Sequence, residues 1–267
     1  MELVAIVPEL FFQLYTVHAL ISGDAIYCLY CLLPNNTETY RRLFMKIKAL
    51  LPNVQPATVI DYEKAAIKSV AECYAGIDVQ GCFYHLSQSI YRKVQALGFQ
   101  QRYQDDADFA MSVRMVAALA FVPLSSTVQI FDELQESTED DDMNQLLDYF
   151  EDNYIGRRRR RNRANPVFAP QVWSVHSRVQ NELPRTNSVE GWHREMQAAI
   201  TADHPNIWRF WTILQREHSF MNVTISQRLG GHPVEPTLKK YRDCNARIMN
   251  IVKDFEYLRR IAHNIQM

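Results

Sequence analysis

Glycine is scarce in this sequence, at 8 of 267 residues, and this argues against a loop-rich all-β sandwich and favours a helix-rich chain. The five cysteines are too few and too scattered for a disulfide framework, which indicates a reducing compartment. Long apolar runs are also missing. The longest, residues 113–124, contains Arg114 and Pro123 and is far shorter than the roughly 20 residues that a membrane-spanning helix needs. Residues 1–4 do not begin a secretory signal, so we expect a soluble intracellular protein that is not secreted.

What the sequence does contain is ordinary for a globular protein. Hydrophobic residues make up 47% of the chain and charged residues 22%, which excludes a disordered, fibrous or low-complexity protein. The length allows one large domain or two small ones, and either can bury a hydrophobic core.

The formal net charge of −1 conceals a strong asymmetry between the two halves of the chain. Residues 1–152 carry 10 basic and 21 acidic side chains, whereas residues 153–267 carry 19 basic and 9 acidic ones. Such a division indicates either that the C-terminal half contacts a polyanion or that the two halves neutralise each other across a shared interface.

The residue patterns of the first 98 positions predict an α/β core with a mixed sheet. Two strands rich in aromatic and β-branched residues, at 10–21 and 25–33, flank a turn and form a hairpin. A helix at about 37–51, a short strand at 57–60, a helix at about 63–74, a strand at 77–83 and a helix at about 86–97 follow. The predicted order is therefore β-hairpin, α, β, α, β, α.

The rest of the chain is predicted to be helical. Residues 99–185 form a helical insertion with helices at about 107–121, 125–135 and 143–154. Its segment 132–152 holds ten acids and no base, and six arginines follow within residues 157–163. Residues 186–267 are predicted to form three or four C-terminal helices. The four tryptophans (Trp173, Trp192, Trp208, Trp211) lie at helical positions, where core packing is the expected role.

Two carboxylates are candidates for a metal site. Asp61 ends a short apolar strand, and metal and ligand sites of open α/β sheets lie beyond the carboxyl ends of strands. Asp61 is equally suited to cap the helix that follows it. Glu190 stands three residues after Asn187, the spacing of a capping box, so it has a structural and a metal-binding interpretation. Spacing alone does not decide between these roles.

Cys82 and His85 form a Cys-x-x-His pair. A zinc site needs a second pair of ligands, and no downstream Cys-x-x-Cys or His-x-x-x-His motif supplies one. We therefore expect a packing or hydrogen-bonding role at the end of a strand, and no structural zinc.

The arginine run has three interpretations: phosphate contacts, a nuclear-localisation patch, or a solvated loop that pairs with the preceding acids. The residues concerned are Arg157, Arg158, Arg159, Arg160, Arg161 and Arg163.

Four segments in a fixed order resemble the Mutator-like (MULE) transposase domain. They are residues 13–18 (QLYTVH), 59–66 (VIDYEKAA), 81–88 (GCFYHLSQ) and 185–193 (RTNSVEGWH). The resemblance covers nearly the whole chain. It implies an RNase H-like fold with a helical insertion ahead of the last carboxylate. It also implies metal-dependent cleavage and strand transfer of transposon DNA by an Asp, Asp, Glu triad.

Carried over to this sequence, Asp61 resembles the second Asp and Glu190 the final Glu, with Mg²⁺ or Mn²⁺ as the implied cofactor. Cys82 and His85 resemble the family's Cys/Asp-x-x-His signature. DNA is the implied partner, a homo-oligomer is compatible with the resemblance, and the implied location is the nucleus or otherwise the cytoplasm.

The sequence departs from the family at its start. The family's first Asp stands in an Asp-Gly-Thr-Phe strand, and residues 1–7 (MELVAIV) take that place here. We therefore expect a truncated, degenerate or domesticated copy that folds but does not cleave DNA. Two classes of function follow: a metal-dependent transposase or its remnant, and a non-catalytic domain that binds nucleic acid or protein.

Overall fold

The structure is a computed structural model that describes residues 6–21, 24–34, 37–56, 58–60, 63–160, 162–180, 192, 195–200, 204–231 and 239–265. The described residues are largely helical and include four strands, β1 Gln13–Ile21, β2 Asp24–Leu33, β3 Thr58–Ile60 and β4 Val79–Gly81. The helices are α1 Thr37–Leu50, α2 Lys64–Cys73, α3 Phe83–Ala96, α4 Gln100–Asp105, α5 Ala107–Ala118, α6 Leu124–Glu136, α7 Asp141–Phe150, α8 Pro170–Trp173, α9 His176–Gln180, α10 Ile207–Leu229 and α11 Lys239–Ile265. A 3₁₀ turn, Leu119–Phe121, follows α5, and a π-helical turn, Glu151–Ile155, follows α7.

The predicted order of a β-hairpin, α, β, α, β, α is confirmed, and the chain is an α/β protein in its first 98 residues. Several boundaries differ from the prediction, since β1 begins at Gln13 and β4 at Val79. The strand expected at 77–83 ends at Gly81, and α3 begins at Phe83 rather than near Leu86. The early start has a packing reason, because Phe83 lies edge-on against Phe121, with 4.8 Å between the ring centroids. His85 therefore lies in the first turn of a helix.

The four described strands form two separate two-stranded sheets. β1 and β2 are antiparallel, and a bulge between Val17 and His18 leaves Cys28 without a cross-strand partner. β3 and β4 are parallel, with Thr58 opposite Val79 and Ile60 opposite Gly81. Within the described part of the chain, no strand pairing joins the two sheets into the mixed sheet that the sequence predicts.

The chain divides into two compact units, each built from two segments. The first combines Met1–Asn53 with Thr186–Asn245, and the second combines Val54–Arg185 with Ala246–Met267. Of the three predicted regions, 1–98, 99–185 and 186–267, only the division after residue 185 is also a boundary between compact units.

In the first unit, one cluster of buried apolar side chains joins the hairpin to helical residues from the C-terminal third. Tyr27 of β2 packs against Trp192, with 4.9 Å between ring centroids, and Trp192 also lies against His18 of β1. Phe210 and Leu214 project from α10 into the same core. Alternation along the strands and helical periodicity along α10 therefore bury their apolar faces together.

In the second unit, the core lies between α3, α5, α7 and the segment around Trp173. Trp173 is fully buried, and its indole N–H donates to the Tyr154 carbonyl over 3.0 Å. Leu86, Ile90 and Val94 recur along α3 at helical spacing and are almost completely inaccessible.

Acids within and before the acidic segment 132–152 have a structural role in the second unit. Asp106 and Asp140 are the N-caps of α5 and α7, and each accepts hydrogen bonds from the first-turn backbone N–H groups. Arg102 donates to both carboxylates and to Asp142. The hydrogen bond from Arg102 holds the pKa of Asp140 below its usual range, and backbone donation from Phe109 does the same for Asp106.

Candidate functional site

The parallel pair β3–β4 defines the edge at which the sequence predicts a site. Because Ile60 and Gly81 are cross-strand partners, the chain leaves both strands at the same edge. Cys82 follows Gly81 and is the N-cap of α3, where its side chain is buried. His85 lies three residues later in the first turn and is half-buried. The Cys-x-x-His motif therefore lies at the carboxyl end of β4.

The two predicted carboxylate ligands lie outside the described residues. Asp61 follows Ile60 in sequence, and Glu190 belongs to the segment 181–191. The N-cap of α2 is Glu63, one residue before Lys64, and its side chain makes no capping hydrogen bond among the described residues. Both sequence interpretations of Asp61, metal ligand and helix cap, stay predictions.

Arg178 of α9 is a residue at this edge that sequence reasoning missed. Its side chain is buried, at 4% exposure, and its guanidinium donates to the Gly81 carbonyl oxygen over 2.8 Å. A buried guanidinium needs hydrogen-bond acceptors and compensating negative charge, because removing a charge from water is costly. No pattern around Arg178 marks it in the sequence, since α9 has only five residues and no clear periodicity.

Cys82, His85 and Arg178 bring a thiol, an imidazole and a guanidinium to this edge. Magnesium and manganese prefer oxygen ligands, which none of these groups supplies. Within the described ranges, no three His, Cys, Asp or Glu side chains lie close enough to hold a metal ion. Cys82, His85 and Arg178 therefore supply none of the ligands that magnesium or manganese prefers.

The arginine run forms a tight hairpin after the π-helical turn. Arg158 and Arg163 form an antiparallel bridge, the Arg159 N–H donates to the Asn162 carbonyl over 2.8 Å, and the Ala164 N–H donates to the Arg157 carbonyl over 2.9 Å. Gly156 starts the hairpin at φ +93°, a conformation that side-chain-bearing residues rarely adopt.

Two members of the run are bound to acids of the same chain. Arg163 is only 17% exposed and pairs with Asp132 and, over 2.8 Å, with Glu151, which is itself buried. Arg157 donates to both carboxylate oxygens of Asp152. For these two arginines, the sequence interpretation in which the run pairs with the preceding acids is confirmed.

The remaining described arginines of the run have a different environment. Arg158, Arg159 and Arg160 are exposed around the tip of the hairpin, and Arg161 lies outside the described residues. Three guanidinium groups on one small turn create a local positive potential that favours phosphate groups. This hairpin tip, defined here as residues 158–160, is the candidate nucleic-acid contact of the second unit.

None of the helices that the structure describes has the length and apolarity of a membrane-spanning segment. Comparisons of the chain with profiles of protein families, with curated proteins and with solved structures found no match. The likeness to Mutator-like transposases therefore rests on the four sequence motifs alone.

Proposed function

We propose that this chain is a transposase-derived domain of the Mutator-like type, with an RNase H-like ancestry, that binds DNA. The observation that carries the proposal is the edge of the β3–β4 pair. Ile60 and Gly81 are opposite each other, and the next residues in the chain are Asp61 and Cys82. Two of the motifs that resemble the family, residues 59–66 and 81–88, thus cross the same sheet edge in register.

The order of the elements also supports this proposal. A hairpin followed by alternating helices and two parallel strands is an α/β arrangement in which ligands bind beyond the carboxyl ends of the strands. The N-cap of α2 is Glu63, so this helix begins just beyond the carboxyl end of β3. In this proposal Asp61 and Glu190 are the carboxylates that hold Mg²⁺ or Mn²⁺ when the metal is present.

Binding of DNA is supported by the hairpin tip. Arg158, Arg159 and Arg160 point to solvent, whereas the neighbouring arginines at 157 and 163 are neutralised by acids of the chain. We propose that the tip contacts phosphates, and that the same basic turn directs the protein to the nucleus.

A second candidate is a non-catalytic DNA-binding domain on the same scaffold, and Arg178 favours it. Its buried guanidinium donates to Gly81 at the edge where a divalent ion would need negative charge. A fixed cation repels a second cation strongly in a poorly solvated environment. In this version the domain binds DNA and does not cleave it.

A cleavage assay on terminal-repeat DNA of the family type, with Mg²⁺ or Mn²⁺, separates the two candidates. A catalytic domain cleaves, and Asp61→Asn or Glu190→Gln abolishes cleavage. Asp78→Asn is the matched control, because Asp78 is an exposed acid just before β4, away from its carboxyl end. Binding without cleavage in every variant identifies the non-catalytic domain. A protein that neither binds nor cleaves this DNA contradicts both candidates.

A further inference from the structure

Two tryptophans of the first unit project into solvent, although their helical positions predict core packing. Trp208 is 78% exposed and Trp211 is 54% exposed, whereas Trp173 and Trp192 are buried. The expectation that all four belong to the core is therefore wrong for this pair.

The backbone holds this pair in a fixed arrangement. Both residues lie in the first turns of α10, three positions apart, and such residues are neighbours on one helix face. The Asn206 side-chain oxygen accepts a hydrogen bond of 2.9 Å from the Arg209 N–H and so caps the helix. Phe210 and Leu214 are buried on the opposite face. Because that face packs on the core, the helix backbone already holds both indoles on the solvent side.

The surroundings of the two indoles are basic and polar. Arg209 and Arg216 are exposed on the adjoining side of the helix, and Thr212 and Gln215 lie beside the tryptophans. Glu217 is the only acid of α10, and it is half-buried and accepts a hydrogen bond from the Tyr27 hydroxyl over 3.3 Å. The exposed face therefore offers cations and flat aromatic surface, and no exposed acid of α10 opposes a polyanion.

We infer that Trp208 and Trp211 form a stacking platform for unpaired bases of a DNA strand, with the exposed Arg216 contacting its phosphates. Aromatic platforms flanked by cations bind single strands with little sequence preference, because every base has a π-face. An apolar protein partner would not need a cation such as Arg216 beside the indoles. The inference rests on the proposed DNA-binding function. It adds a class of ligand, an unpaired DNA strand, and it adds a second binding site, which lies on the first unit, whereas the hairpin tip lies on the second.

The test compares binding of a fluorescent oligothymidylate of roughly 16 nucleotides, near the upper site size of single-strand-binding modules, with binding of a duplex. Trp208→Ala and Trp211→Ala should each weaken single-strand binding by about 5-fold to about 150-fold, the range for loss of one stacked base. Duplex binding should change little. Trp208→Phe keeps an aromatic face and should retain most of the affinity.

Leu229→Ala is the matched control, because it truncates an exposed apolar side chain near the other end of the same helix, at 85% exposure. Equal single-strand affinity in the wild type and both alanine variants overturns the inference, and unaltered duplex binding then leaves the proposed function intact. If the wild type binds no DNA at all, both the inference and the proposed function are overturned. The wild type could instead form a dimer that Trp208→Ala abolishes, with no change in single-strand binding. That result assigns the face to a second copy of the chain and also overturns the inference.

Discussion

Replacing Arg163 by Gln should destabilise the protein, although Arg163 belongs to a run that is otherwise exposed. Its side chain is 17% exposed and bridges Asp132, Glu151 and the Gly156 carbonyl. The substitution removes the positive charge and leaves the Glu151 carboxylate, which is 6% exposed, without its ionic partner. The Arg158 backbone N–H, at 3.1 Å, is the only other donor recorded for that carboxylate among the described residues.

The magnitude follows from burial. Removing one partner of a buried ion pair costs about 3–5 kcal/mol, because an unpaired charge remains in a poorly solvated environment. Asp132 is 26% exposed, so water relieves part of this penalty, and we expect a loss of about 3 kcal/mol in the free energy of unfolding. Adding Glu151→Gln to Arg163→Gln should recover part of that loss, since it removes the stranded charge.

Urea unfolding followed by circular dichroism measures this loss, with Arg157→Gln as the matched control. Arg157 also pairs with an acid, but both its side chain and that of Asp152 are about half exposed, so its replacement should hardly move the midpoint. Equal midpoints for Arg163→Gln and Arg157→Gln would refute the reasoning, as would a double variant that is less stable than Arg163→Gln.

Three further predictions concern other parts of the chain. Gly156→Ala should destabilise the second unit by about 1–3 kcal/mol or more, because φ is +93° and a Cβ would lie 1.9 Å from the Ala164 carbonyl oxygen. Urea unfolding measures the loss, and an unchanged midpoint would contradict the prediction. Burial lowers the pKa of His18 from 6.5 to about 4, so the stabilisation from its neutral form is complete above pH 6.5 and is lost as the pH falls toward 4. The free energy of unfolding should be about 2 kcal/mol smaller at about pH 5 than at about pH 8 on account of His18, and His18→Gln should reduce that difference. Acrylamide should strongly quench the fluorescence of about half of the tryptophans, because Trp173 and Trp192 are buried. Replacing both Trp208 and Trp211 by Phe should remove that accessible fraction. A large accessible fraction in the double variant would contradict the exposures.

The order of elements was predictable from sequence, because local periodicity and turn residues determine it. The helices α1 and α2 begin and end within about one residue of their predicted bounds. The start of α3 was not predictable, because it depends on Phe83 meeting Phe121, a contact between residues far apart in the chain. Local patterns carry no information about such partners.

The candidate site shows the same limit. Helical spacing predicts that Trp208 and Trp211 share a face, but which face packs on the core depends on Phe210 and Leu214 meeting the hairpin. Arg178 carries no sequence signal, since its role depends on reaching Gly81 from a position 97 residues away. The described arginines of the run divide into paired and exposed ones only because acids of α6 and of the π-helical turn lie beside Arg163 and Arg157.

The most direct test of the account is the salt dependence of duplex DNA binding. The wild type is compared with a variant in which Arg158, Arg159 and Arg160 are all replaced by Gln. Each phosphate contact contributes about 0.9 to the slope of log affinity against log salt concentration, so the slope should become shallower by up to about 2.7. Arg157→Gln should leave the slope nearly unchanged, because Asp152 already neutralises that guanidinium. An unaltered slope in the triple variant would contradict the proposal that the hairpin tip contacts DNA.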